Sequence, residues 1–293
     1  MRPDRDVPRH LLELSHDELS VVFDGLADPL QPAIAVALSS SCLGLRTPLL
    51  AALKVLAQQH SRALALCHKV GMSCCAELRG VEYVDWHEIG LIADDMAMLA
   101  LILRTNALPE LRSLCLHNNG FGDAGMLALC EGMGRGAHPS LNTLVIGSNV
   151  VGLAGAEAVA AVLSRGMLPR LEILCLSVSP FGNEGMAALS PALRSLPRLK
   201  YLGLANCDIG DEGVASLVAD LDKDDFKALE KLWLKNNKIT DAGVTQLVAV
   251  INSGGLAKLS YDENFLACNL ASASAVHAYE DALTKRSQMD TTQ

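Results

Sequence analysis

The sequence predicts an α/β solenoid, with short parallel strands along one side and helices along the other. Three observations predict it. Leucine-led segments recur at a nearly constant interval, each passes from an alternation of period two to apolar spacing of helical period, and a polar residue, mostly asparagine, stands where the first pattern gives way to the second.

The segments begin at Leu111, Leu141, Leu171, Leu199, Leu229 and Leu256, in steps of 30, 30, 28, 30 and 27 residues. Each follows the pattern L-x-x-L-x-L-x-x-N or a close variant: Leu111, Leu114, Leu116 and Asn119; Leu141, Leu144, Ile146 and Asn149; Leu229, Leu232, Leu234 and Asn237. The third and fourth copies carry Ser179 and Cys207 in the last position, and the final copy reads Leu256, Leu259, Tyr261 and Asn264. A degenerate first copy contains Val81, Val84, Trp86 and Ile89. The L-x-L alternation is that of a strand with one buried face, so each repeat contributes one strand. Asn119, Asn149, Ser179, Cys207, Asn237 and Asn264 then form a structural column that satisfies backbone groups in the buried turns. Serine and cysteine replace only part of what an amide side chain supplies.

After the turn come F-G-D-A-G at Phe121, F-G-N-E-G at Phe181, I-G-D-E-G at Ile209 and I-T-D-A-G at Ile239. Asp123, Asn183, Asp211 and Asp241 are residue types that cap a first helical turn, and the glycine two places on leaves room for a neighbouring repeat. Apolar residues follow at helical spacing, as in Val244, Leu247, Val248 and Ile251.

Strand, Asn or Cys turn and capped helix in repeats near 28 residues resemble the ribonuclease-inhibitor class of leucine-rich repeats, over about residues 80–265. The resemblance implies a right-handed horseshoe arc, with strands on the concave face, helices on the convex face and a core closed by stacking. The expected organisation is a helical N-terminal cap at 1–78, repeats at 79–268, and a C-terminal capping helix with a frayed tail at 269–293. That helix is read at Ala271–Arg286.

The N-terminal segment has two readings. As a cap, it would lay Leu49, Leu53, Leu56, Leu64 and Leu66 on the first repeat. Yet Leu14–Arg46 also resembles an F-box through Glu18, Leu19, Val22, Phe23, Leu26, Pro29, Leu38 and the Ser41–Cys42 pair, although Pro is absent near Ser15 and no Trp stands near Leu45. The second reading implies the small adaptor subunit of a ubiquitin ligase as partner.

Composition narrows the function. With 24 basic against 33 acidic side chains, the net charge of -9 opposes a phosphate backbone, so nucleic acid is not an expected partner. No apolar run is long enough for a secretory signal or a membrane helix, and the nine cysteines lack C-x-x-C spacing. The expectation is an intracellular, cytoplasmic protein with reduced, mostly buried thiols, no membrane association, and neither metal nor cofactor.

The common catalytic signatures are absent, and Cys115 with His117 reads as two neighbours on one strand face, so no catalytic residue and no enzyme activity is expected. Activation of the Ran GTPase is the enzymatic alternative that this class of repeat raises. The residues between the buried leucines point outward onto the concave face. One column runs Asp85, Cys115, Val145, Cys175, Gly203, Trp233 and Ser260. Its flanks run Tyr83, Ser113, Thr143, Ile173, Tyr201, Lys231 and Lys258, and His87, His117, Gly147, Ser177, Ala205, Lys235 and Asp262. The expected partner-binding set is Tyr83, Asp85, His87, Cys115, His117, Val145, Cys175, Tyr201, Lys231, Trp233, Lys235 and Lys258, centred on a Trp between two lysines. The sequence thus describes a non-catalytic scaffold for a protein partner.

Overall fold

The computed structural model describes residues 18–19, 22–23, 26–40, 43–134, 140–222, 224–260 and 265–290. The chain folds as two compact units, one of Met1–Val81 with Leu101–Pro109, the other of Glu82–Ala100 with Glu110–Gln293.

The first unit is helical and contains α1 (Ala33–Ser40), α2 (Leu43–Lys69) and α3 (Cys75–Arg79). Its core gathers Leu19, Phe23, Ala35, Leu49 and Leu56, with Leu38 and Leu53 packed at its margin. Leu49, Leu53 and Leu56, expected on the first repeat, therefore belong to the helical unit's own core; their spacing places them on one stripe of α2. Gly71, at φ 82°, closes α2 as the Met72 amide bonds the Cys67 carbonyl. Arg79 holds Asp28 by an ion pair. The Ser41–Cys42 pair of the F-box pattern lies outside the described residues.

The second unit carries six three-residue strands: β1 (Tyr83–Asp85), β2 (Ser113–Cys115), β3 (Thr143–Val145), β4 (Ile173–Cys175), β5 (Tyr201–Gly203) and β6 (Lys231–Trp233). All pair in parallel, in sequence order. Between and after them run α4 (Ala93–Arg104), α5 (Gly122–Gly134), α6 (Leu153–Ser164), α7 (Gly182–Arg194), α8 (Asp211–Val218), α9 (Asp241–Asn252) and α10 (Ala273–Asp290). The division between the units falls within α4, after Ala100. The repeats form a leucine-rich-repeat α/β solenoid.

Stacking builds its core. Val84, Leu114, Leu144, Leu174, Leu202 and Leu232 share one register along the sheet and are all buried. Burying each leucine contributes about 1.5–3 kcal/mol, and none is buried without the next repeat. On α5, Gly132 is required by close approach, since a Cβ there would stand 2.4 Å from the Ala100 backbone.

The turns are held by the asparagine column. Asn149 donates to the carbonyls of Leu116 and Ile146 at 2.9 and 2.8 Å, and its oxygen accepts the amides of Asn119 and Gly120, each at 2.9 Å. Asn119 joins Trp86 to Ile89 and Leu91 in the same way. Ser179 is buried at its place in the column. The Cys207 thiol lies 3.5 and 3.4 Å from the Leu176 and Ala205 carbonyls, and burial pushes its pKa up to about 12. In each turn the residue before the column is left-handed: Glu88, Asn118, Ser148, Val178, Asn206, Asn236 and Cys268 have φ between 54 and 60°.

That last residue corrects the final repeat. Cys268 precedes Asn269, whose amide donates to Leu234 and Leu266 carbonyls at 2.8 and 3.1 Å and whose oxygen accepts from Ile239 at 3.1 Å. Asn264, expected in this role, lies outside the described residues. The copy starts at Leu259, not Leu256: the Leu259 amide bonds Leu256 just as that of Leu229 bonds Phe226. Leu256-x-x-Leu259 thus belongs to the turn entering the repeat.

The capping residues also act differently from expectation. Each lies inside its own helix and reaches the start of the next. Asp123 accepts from Gly152 and Gly155 at 2.8 and 3.1 Å, Asn183 from Gly210 and Gly213 at 2.7 and 3.1 Å, and Asp211 from Thr240 and Gly243 at 2.8 and 3.0 Å. The starts of α5 and α7 use another device: Gly122 and Gly182, at φ 64 and 62°, turn their amides onto the carbonyls of Asn149 and Cys207.

At the C-terminus, α10 begins at Ala273 and continues to Asp290, so the residues expected to fray after Arg286 include four helical ones. Phe265 stacks on Tyr279 at 4.7 Å, and Arg286 donates to the Leu256 and Leu259 carbonyls.

Candidate protein-binding face

The alternation that buries the central leucines leaves their strand neighbours on the opposite face of the sheet. Register places Asp85, Cys115, Val145, Cys175, Gly203 and Trp233 in one column, and Tyr83, Ser113, Thr143, Ile173, Tyr201 and Lys231 in the next. Tyr83 is 69% exposed, Ile173 36% and Trp233 40%. Ser113, Cys115, Thr143, Val145, Cys175 and Tyr201 are half-buried, and Gly203 is buried.

At the β6 end, the Tyr201 and Trp233 rings meet edge to face at 5.3 Å, an arrangement contributing about 0.5–1.5 kcal/mol beyond area burial. Lys231 is exposed and Lys235 half-buried on either side of the Trp in sequence. Beyond it the expected neighbours change. Phe265, not Ser260, aligns with Trp233, because the Leu234 amide bonds the Phe265 carbonyl as the Leu204 amide bonds that of Trp233. Phe265 is buried. Lys258 precedes Leu259 and stands in the turn entering the repeat, so it leaves the strand column in which the sequence placed it; Asp262 lies outside the described residues. The missed pair, Phe265 and Asn269, had a signal in the sequence, since Leu266-x-x-Asn269 repeats Leu234-x-x-Asn237.

The β1 end is polar. His87 and His117 stack with centroids 4.9 Å apart and planes 3° from parallel. Each ring turns Nδ1 back along its strand, to Asp85 Oδ1 at 2.7 Å and to Cys115 Sγ at 3.2 Å. The hydrogen bond with Asp85 holds the His87 pKa above its ordinary value and that of Asp85 below. Burial, and then Asp85, push the Cys115 thiol up, which favours its neutral form. Asn118 donates to Glu88 at 2.7 Å and closes the edge.

Among the described residues the thiols are free. Cys67, Cys75, Cys130 and Cys207 are buried, Cys115 and Cys175 half-buried, and Cys74 and Cys268 exposed. Cys42 lies outside the described residues. Among the described residues no three His, Cys, Asp or Glu side chains gather to hold a metal ion, and no helix is long and apolar enough to cross a membrane. A hollow of about 370 Å³ between residues 265–269 and α10 is lined by Phe265, Tyr279, His277 and Glu280 among others, the last two pairing at 3.4 Å.

The comparisons agree with this architecture. The family model described as "Leucine Rich repeat" matches residues 108–130, 137–160 and 196–218. These spans contain β2, β3 and β5, each with all or part of the helix that follows it. No curated protein matches the chain. The fold and these matches identify leucine-rich repeats within the chain.

Proposed function

We propose that the chain is a non-catalytic scaffold that binds a protein partner on the open face of its sheet, and that its repeats belong to the ribonuclease-inhibitor class. One observation carries the reading: Tyr83, Ile173 and Trp233, three large side chains, stand exposed in adjacent columns of one sheet face. Exposed aromatic and aliphatic groups with small neighbours are the make-up of interface anchors. The net charge of -9 argues for a protein over a nucleic acid, and the free thiols fit a reducing intracellular compartment. A photoactivatable crosslinker at Val145, on this face, should join a partner in cell extract. The same group at Leu127, exposed on α5, should not. Adducts from Leu127 alone would move the binding surface to the helices.

A second reading rests on the helical unit, which exposes Ile34, Val36, Leu50 and Val55 on α1 and α2. Such side chains fit an F-box-type substrate adaptor, with the helices holding the ligase's small adaptor subunit and the repeats holding the substrate. Co-purification of that subunit with the chain, lost on replacing Ile34 and Leu50 by Glu, tests it; failure to co-purify removes it and leaves the first reading intact.

A further inference from the structure

His87 and His117 occupy corresponding places after β1 and β2, where parallel strands run about 4.8 Å apart. Their rings are spaced 4.9 Å, close to that repeat, and lie nearly parallel. Both fix Nδ1 against the side chain two residues earlier, Asp85 Oδ1 at 2.7 Å and Cys115 Sγ at 3.2 Å. The Asp85 carboxylate selects the His87 tautomer with Nδ1–H donated inward, which leaves the Nε2 lone pair facing away from the strand, and the His117 ring is stacked beside it. An imidazole held at one nitrogen by a carboxylate and bare at the other is the usual state of a metal-ligating histidine, because the outer partner fixes the tautomer and aims the ring.

We propose that His87 and His117 form a two-ligand site for a divalent transition-metal ion, Zn²⁺ above all, with water completing its coordination. Two zinc-bound imidazole nitrogens at about 2.0–2.1 Å from the metal lie roughly 3.3 Å apart. From near-parallel planes 4.9 Å apart, each ring must turn out of the stack by roughly 55°, half the tetrahedral angle, so that its in-plane lone pair meets the ion. Only side-chain rotation is required, since the backbone spacing is set by the sheet. Asp85 acts as the outer-shell partner that orients His87, while the Cys115 thiol lies against Nδ1 of His117. Neither is a ligand, in keeping with the absence of any cluster of three ligating groups among the described residues. A bound cation here would add positive charge at the β1 end of the face proposed to take the partner, opposite the lysines flanking Trp233. The site itself does not depend on that face binding anything.

The test uses the full chain with Cys74 and Cys268 replaced by Ser, which removes the two exposed thiols as competing zinc ligands. Zinc chloride is titrated while imidazole nitrogen resonances are followed by long-range ¹H–¹⁵N NMR. The Nε2 signals of His87 and His117 should move together and saturate at one zinc per chain. His117→Ala should abolish the saturable shift at His87, and Asp85→Asn should weaken binding about 10- to 100-fold, as loss of an outer-shell partner does. Unmoved Nε2 signals, or an undiminished His87 shift in His117→Ala, would overturn the paired site. Retention of the amide spectrum in each variant separates loss of the site from loss of the fold.

Discussion

The side-chain oxygen of Asn237 accepts the amides of Cys207 and Ile209, at 2.9 and 3.0 Å, while its nitrogen donates to the Leu204 and Leu234 carbonyls. One amide group therefore ties the turn of one repeat to the turn before it. Asn237→Ala strands several buried backbone groups, each costing on the order of 1–3 kcal/mol when left unsatisfied. The expected result is a fall of at least about 1 kcal/mol in unfolding free energy by urea denaturation. An unchanged midpoint would contradict the assigned role.

Val178 shows the column's demand on its neighbours. It sits at φ 59°, where Asn118, Asn206 and Asn236 stand in other repeats, and its side chain is exposed. A β-branched residue is strained in the left-handed region, whereas Asn tolerates it. Val178→Asn is expected to stabilise the chain by about 0.5–1 kcal/mol, seen as a raised thermal midpoint. A lowered midpoint would mean that Val178 contributes packing worth more than the strain it carries.

How much of this was legible in the sequence depended on whether the signal was local. Leu114, Leu144 and Leu232 announce buried strand positions because period-two burial is written directly into residue type, and the register from Asp85 to Trp233 followed from aligning them. The capping residues were legible as types but not in their targets. Asp211 sits in α8 and satisfies α9, a link that exists only once repeats are stacked. The final repeat misled because Leu256-x-x-Leu259 imitates the opening of a copy, while four residues separate Ser260 from Phe265 where two separate Glu230 from Trp233. The His87–His117 stack could not be read from the two positions alone, as it depends on how each ring is turned against Asp85 and Cys115.

Asp241, in α9 of the repeat before the final one, accepts from the Ser272 amide and hydroxyl at the start of α10, at 2.6 and 2.9 Å, and these bonds lower its pKa. A depressed carboxylate pKa contributes stability that is present above the unfolded value, near 4, and is lost as pH falls through the folded value. NMR titration should find Asp241 ionising below the ordinary carboxylate range. Ser272→Ala removes the hydroxyl bond but keeps the amide's, so it should bring the value part of the way back and raise the pH at which the α10 amide resonances begin to change on acidification. An Asp241 that titrates normally in the unaltered chain would contradict the coupling.

The central claim is that the sheet face around Trp233 meets a protein partner, and Trp233→Ala tests it most directly. The ring is 40% exposed and meets Tyr201 edge to face, a contact contributing about 0.5–1.5 kcal/mol beyond area burial, whereas truncating a central interface Trp commonly costs about 2 kcal/mol or more in binding. The measurement is the affinity of the variant for the partner crosslinked at Val145, taken together with its thermal midpoint. The account predicts affinity reduced by about 30-fold or more, with the midpoint only slightly lowered. Full affinity in a folded variant would contradict it.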